Sequence, residues 1–151
     1  MKVVIYRGSG FIGAWITKLL LNKNFQITIF DKKINKNLLN HIIGQNIKKI
    51  HFVEGDILEY QSVSKTAKGN NILINLAGLM TPDCIKNPRL GSQVNIVGSI
   101  NVFEAALEAE CNLVVYTSSC GVYGQKDKIN PFPETHYGAY KLAVEGIARA
   151  Y

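Results

Sequence analysis

Tyr137 and Lys141 stand four residues apart, a spacing that puts both side chains on one face of a helix. A phenol titrates near 10 and is a poor base at neutral pH. An ammonium beside it stabilises the phenolate and turns the tyrosine into a usable proton shuttle. Upstream, Thr117-Ser118-Ser119-Cys120-Gly121-Val122-Tyr123-Gly124 offers hydroxyls directly after an apolar run. Near the N-terminus, Gly8-Ser9-Gly10-Phe11-Ile12-Gly13 fits GxGxxG between an apolar run and a helical pattern. Glycines there let the backbone approach a pyrophosphate, and the following helix start supplies free N–H groups and a positive dipole end. Asp31 closes the next apolar run, at the spacing where a carboxylate bonds the adenosine ribose hydroxyls and repels a 2′-phosphate. NAD is therefore the expected cofactor. Lys32 and Lys33 keep NADP as the lesser option. The plainer alternatives are a helix surface pair, a packing turn and an ordinary strand-end acid.

These groups need a scaffold, and the chain alternates apolar runs with helical patterns. Strands are predicted at Val3–Tyr6, Gln26–Phe30, Lys49–Val53, Asn71–Ala77 and Leu113–Ser119. Continuous Val/Ile/Leu runs are what strands look like when helices cover both faces of a sheet. Helices are predicted after Gly10, with Phe11, Trp15 and Leu19 on one face, within the Asn-rich NKNLLNHII, near Gln61–Lys68, from Pro88 to Ala109, and from about Tyr137. The alternation argues for βαβ units in a Rossmann-type, doubly wound α/β sheet.

Composition narrows the function. A chain of 151 residues with 47% hydrophobic and 19% charged residues can form one domain with a proper core. No apolar run reaches the roughly 18 residues of a membrane span. One Lys and a short run interrupted by Arg7 predict no signal peptide and a cytoplasmic protein. The net charge of +6 comes from lysines scattered among Asn and Ile, which reads as solvated surface rather than a nucleic-acid site. Cys84, Cys111 and Cys120 form no CxxC pair, so reduced thiols are expected, Cys120 as a small buried residue rather than a nucleophile. His41, His51 and His136 lack metal spacing and are expected in loops or on the surface.

Taken in order, the motifs resemble the extended short-chain dehydrogenase/reductase family, of the NAD-dependent epimerase/dehydratase type. The likeness runs the whole length, through the Gly10–Gly13 turn, Asp31, GDI at Gly55–Ile57, NLAG at Asn75–Gly78, VNIVGSINVFEAA at Val94–Ala106, SSCGVYG at Ser118–Gly124 and YGAYKLAVE at Tyr137–Glu145. The resemblance implies that Ser119 is the catalytic hydroxyl and Tyr137 the acid/base, with Lys141 lowering the Tyr pKa and binding the nicotinamide ribose. It implies a cofactor held by Gly8, Gly10, Phe11, Ile12, Gly13, Asp31, Asp56, Ile57, Leu76, Ala77, Gly78 and Asn95 as well. The implied chemistry begins with hydride transfer between a substrate carbinol and nicotinamide C4. The implied substrate is a nucleotide sugar or similar hydroxylated small molecule, and pairing through Val94–Ala109 and Tyr137–Tyr151 implies a homodimer.

Two features depart from the family pattern. Its first loop glycine is Arg7 here. Either Arg7 swings outward and touches phosphate as a cation, or the loop is strained and its affinity weakened; the second is the expectation. The chain also shows five strands where the full nucleotide fold has six. Residues 1–151 therefore read as an incomplete dinucleotide domain with the substrate region absent, either a fragment or a shortened gene product, and with an apolar sheet edge to cover.

Overall fold

The computed structural model describes residues 1–125 and 129–151. Five strands, β1 (Lys2–Tyr6), β2 (Gln26–Asp31), β3 (Ile50–Glu54), β4 (Ile72–Asn75) and β5 (Leu113–Tyr116), form one sheet in the order β3-β2-β1-β4-β5. Every pairing is parallel. The chain steps outward from β1 to β3, then returns to β4 on the other side of β1. That reversal opens a crevice at the carboxyl ends of β1 and β4, where open α/β sheets bind ligands.

Alternate strand residues feed two cores. Val3, Ile5, Ile27, Ile29 and Ile74 pack in the layer that contains Ala14 of α1 (Phe11–Asn22) and Leu39 of α2 (Lys36–Ile43). Val4, Tyr6, Phe30 and Leu73 pack in the layer of α3 (Tyr60–Ala67) and α6 (Gly98–Glu108). Tyr6 is fully buried there, and its hydroxyl donates to the Val63 carbonyl at 3.0 Å. Tyr6→Phe leaves that acceptor without its partner, so a loss of about 1 kcal/mol is expected in urea unfolding.

Among the described residues three α-helices remain: α4 (Thr81–Lys86), α5 (Pro88–Ser92) and α7 (His136–Ala150). A π-helical turn, Gln93–Val97, joins α5 to α6, so the predicted helix from Pro88 is continuous through a widened turn. α4 was not expected; Pro82 in its first turn presets the backbone and Asp83 faces the helix start favourably. β4 and β5 end at Asn75 and Tyr116, earlier than the apolar runs suggest: Leu76 and Thr117 still donate to the Tyr6 and Asn75 carbonyls, and the chain from there to Gly78 and Ser119 lines the crevice.

The sequence also misleads about α1. Phe11, Trp15 and Leu19 face outward, and the buried side is Gly13, Ala14 and Thr17. Small residues let α1 lie close on the sheet. At the far edge, Leu113 and Val115 of β5 are 50% and 43% exposed, the apolar edge anticipated above.

Candidate functional site

The loop after β1 is shaped by close backbone approaches. A Cβ at Gly13 would overlap the Gly8 carbonyl, 2.6 Å from its carbon, so α1 can start here only with glycine. Gly8 is held as tightly beneath, where a Cβ would lie 2.8 Å from the Ile5 carbonyl oxygen. Gly10 differs: a Cβ there would meet only the Arg7 carbonyl oxygen, at 3.7 Å. Packing does not demand that glycine, and its open face lies on a cleft. α1 begins with no side-chain cap and no acidic residue in its first turn, leaving its N–H groups free for a ligand.

Arg7 has φ +58°, in the left-handed region where a side chain costs roughly 1–2 kcal/mol. The strain anticipated at the lost glycine is real. Its guanidinium reaches across to donate to the Gly78 carbonyl. Asp31 is fixed by the same loop: its Oδ2 accepts the Ser9 hydroxyl at 2.6 Å and the Ser9 N–H at 3.1 Å, while Oδ1 accepts from Lys32 N at 2.9 Å. Ser9 was missed in the sequence, where it is merely one x of GxGxxG.

Three clefts follow one another along the carboxyl edge of the sheet. The first, about 220 Å³, is lined by Phe30, Asp31, Asp56, Ile57 and Ala77. Lys32 bridges its rim to Asp56 at 2.7 Å, and that ammonium holds the Asp56 carboxyl below the usual carboxylate range. The second, about 360 Å³, is lined by Gly10–Gly13, Leu76, Thr117, Ser118, Tyr137 and Lys141. Arg7 and Gly78 border both. The third, about 630 Å³, holds Ser119 and Cys120 and shares Tyr137 and Met80 with the second.

α7 delivers Tyr137 and Lys141 to this row. Thr135 caps it, its Oγ1 accepting from Gly138 N at 3.0 Å. Lys141 is only 7% exposed; its ammonium donates to the Thr117 carbonyl at 2.8 Å and the Thr117 hydroxyl at 3.4 Å, and lies 5.8 Å from the Tyr137 ring centroid. Burial, and then the Arg7 cation, push the Lys141 pKa down, partly offset by Cys84. Ser119 Oγ accepts from Gly121 N at 3.1 Å. Ser118, which lines the second cleft instead, donates to Glu145.

Two expected cofactor residues, Gly8 and Asn95, line none of the three clefts. Asn95 is buried behind Gly78. Its Nδ2 donates to the Gly91 carbonyl at 2.9 Å and the Leu79 carbonyl at 3.2 Å, while its Oδ1 has no partner among the described residues. Cys120 is exposed, correcting the expectation of a buried residue: in the turn Cys120–Val122 it is Val122 that fills the interior. His41, His51 and His136 are exposed as expected, and no metal-binding cluster occurs among the described residues.

The family model described as NAD dependent epimerase/dehydratase family matches residues 3–151. The chain belongs to that family. A bifunctional UDP-glucose 4-epimerase and UDP-xylose 4-epimerase of Pisum sativum is 32% identical over 98% of this chain and 47% of its own length. A human 3 beta-hydroxysteroid dehydrogenase type 7 is 28% identical over 83% of this chain and 34% of its own. Among solved structures, a UDP-N-acetylglucosamine 4-epimerase of Methanobrevibacter ruminantium M1 in complex with UDP-N-acetylmuramic acid superposes with a TM-score of 0.87 at 25% identity, over 99% of this chain and 49% of that one. The chain thus spans about half the length, or less, of these relatives. The Gly10 face of the crevice is open, the start of α1 is uncapped, Asp31 and Asp56 lie at one end, and among the described residues the lining of the second cleft carries no carboxylate.

Proposed function

We propose that this chain binds NAD and carries the proton-transfer residues of an epimerase, dehydratase or oxidoreductase acting on a nucleotide sugar or similar hydroxylated small molecule. One observation carries the reading: Tyr137 stands on the wall between the cleft that contains the glycine loop and the cleft that contains Ser119. Adenosine would lie in the first cleft near Asp31, with the diphosphate at the start of α1 and the nicotinamide beside Lys141. The nicotinamide would supply the hydride acceptor. Ser119 and Tyr137 would bond the substrate hydroxyl from the third cleft, and Tyr137 would take its proton. Lys141 would stabilise the resulting phenolate, and Asn95 would act from behind Gly78. Assembly as a homodimer through α6 and α7 and a cytoplasmic location belong to the same reading.

A second reading is a nucleotide-binding module or relic without turnover, and Arg7 in a left-handed conformation at the loop favours it. Both are tested by titrating the purified chain with NAD and NADP. Trp15 is a built-in reporter: its ring packs edge-on against Phe11, 6.5 Å between centroids, and Phe11 lines the second cleft. NAD is expected to change Trp15 fluorescence, with NADP at least tenfold weaker because Asp31 repels a 2′-phosphate. Steady-state turnover of UDP-glucose by the 151-residue chain is expected to be poor or absent, and measured turnover would remove the second reading. No binding of either cofactor by a folded sample would sink the first.

A further inference from the structure

Arg7 and Gly78 are the residues common to the first and second clefts, and the bond from the Arg7 guanidinium to the Gly78 carbonyl crosses the passage between them. Any ligand long enough to occupy both clefts must pass this contact. Arg7 is otherwise poorly matched: among the described residues no carboxylate lies within ion-pair distance of it. Its bonded partner is a neutral carbonyl, though a guanidinium fork fits two anionic oxygens far better.

The other side of Gly78 carries a second cation. A Cβ on Gly78 would come within 3.6 Å of Lys141 Nζ, so Arg7 and Lys141 flank one glycine. Among the described residues the lining of the second cleft includes no Asp or Glu, while α1 aims its free N–H groups at the same space. Two cations and a helix start converge with no anion among the described residues. The left-handed backbone of Arg7 puts local strain at the same junction.

We infer that Arg7 is a diphosphate-binding residue, barring the passage while bonded to Gly78 and turning onto the diphosphate when a dinucleotide joins the two clefts. This rests on the reading of the crevice as a dinucleotide site. The exchange replaces a neutral acceptor with a charged, two-pronged one. It also places an anion beside Lys141, relieving the repulsion between the two cations. A ligand confined to the first cleft leaves the bar in place.

Calorimetric titration of the full chain and its Arg7→Gly and Arg7→Gln variants with adenosine, ADP and NAD tests this. Arg7→Gly removes the left-handed strain and should fold; Arg7→Gln keeps the side chain's length without its charge. Both variants are expected to bind ADP and NAD some 10–100-fold more weakly, as for loss of a charge-assisted bond, with adenosine unchanged within about twofold. Raised salt should weaken ADP binding to the original chain more than to either variant. Tighter ADP or NAD binding by Arg7→Gly would show that Arg7 only obstructs, and equal binding would show that it is a bystander. Each overturns the inference and leaves the cofactor reading standing. If none of the three folded proteins binds any of the ligands, the cofactor reading itself fails and takes this one with it.

Discussion

Replacing Gly138 with alanine is expected to destabilise the chain by about 3 kcal/mol and to move Tyr137 away from Ser119. On helix propensity alone the sign would be opposite, since alanine is favoured over glycine in a helix interior by up to about 1 kcal/mol. Gly138, however, lies in the first turn of α7, pressed against the turn that follows Ser119. A Cβ there would overlap the Gly121 carbonyl oxygen, sit 2.8 Å from its carbon and lie 3.2 Å from Pro133 Cβ. Two of these neighbours are backbone atoms and cannot rotate aside, so the helix start or the turn must shift. Those are the elements that put Tyr137 and Ser119 on one cleft. Gly146 is the internal control. It lies on the same helix, exposed, and a Cβ there meets nothing within 4 Å. Gly146→Ala should stabilise by about 0.5–1 kcal/mol. Urea unfolding of the two variants therefore separates local propensity from tertiary contact, and a Gly138→Ala protein as stable as the original would show that the two turns are not locked together.

That contrast marks what could be read from the sequence. The sheet was legible because strands covered on both faces become unbroken Val/Ile runs, and the glycine loop because only glycine permits the backbone contacts at Gly8 and Gly13. The same rules failed on α1. A stripe of Phe11, Trp15 and Leu19 looks like a core face, yet closeness to the sheet selects for Gly13, Ala14 and Thr17. Contacts between distant segments left no local trace. Nothing beside Ser9 announces Asp31 as its partner, and nothing beside Gly138 announces Gly121. Arg7 stood out as an exception to a motif, but its path to Gly78 follows from a backbone angle the sequence does not display. α4 was too short for a periodic pattern to reveal it.

Lys141→Met is expected to leave the chain at least as stable as before at pH 7, and up to about 1 kcal/mol more so, while weakening NAD binding. The ammonium is nearly enclosed and its partners are the Thr117 carbonyl and hydroxyl and a tyrosine ring, with no carboxylate among the described residues to compensate its desolvation. Burial first, and Arg7 second, therefore hold its pKa below the ordinary value of 10.5. The sign of the pH effect follows. Between the depressed folded pKa and 10.5 the unfolded chain binds more protons at this residue, so its contribution to stability rises with pH. Below that window the folded chain bears the full cost of the buried charge; above it the cost is gone. The advantage of the methionine variant should accordingly be greatest near neutrality and vanish above pH 10.5, when urea midpoints of the two proteins are compared across that range. Taking the difference cancels Tyr6 and Cys111, whose pKa values are raised chiefly by burial and which act alike in both, but not Cys84, whose thiol is held down in part by the Lys141 ammonium and rises further without it. In the proposed function the same cost would give the lysine its use, because an ammonium with no carboxylate beside it among the described residues would be free to stabilise a phenolate on Tyr137 or an anionic ligand. A loss of several kcal/mol at pH 7 would instead mean that Thr117 and the Tyr137 ring fully compensate the charge, and Lys141 would then be a structural tie between β5 and α7 rather than a cation held in reserve.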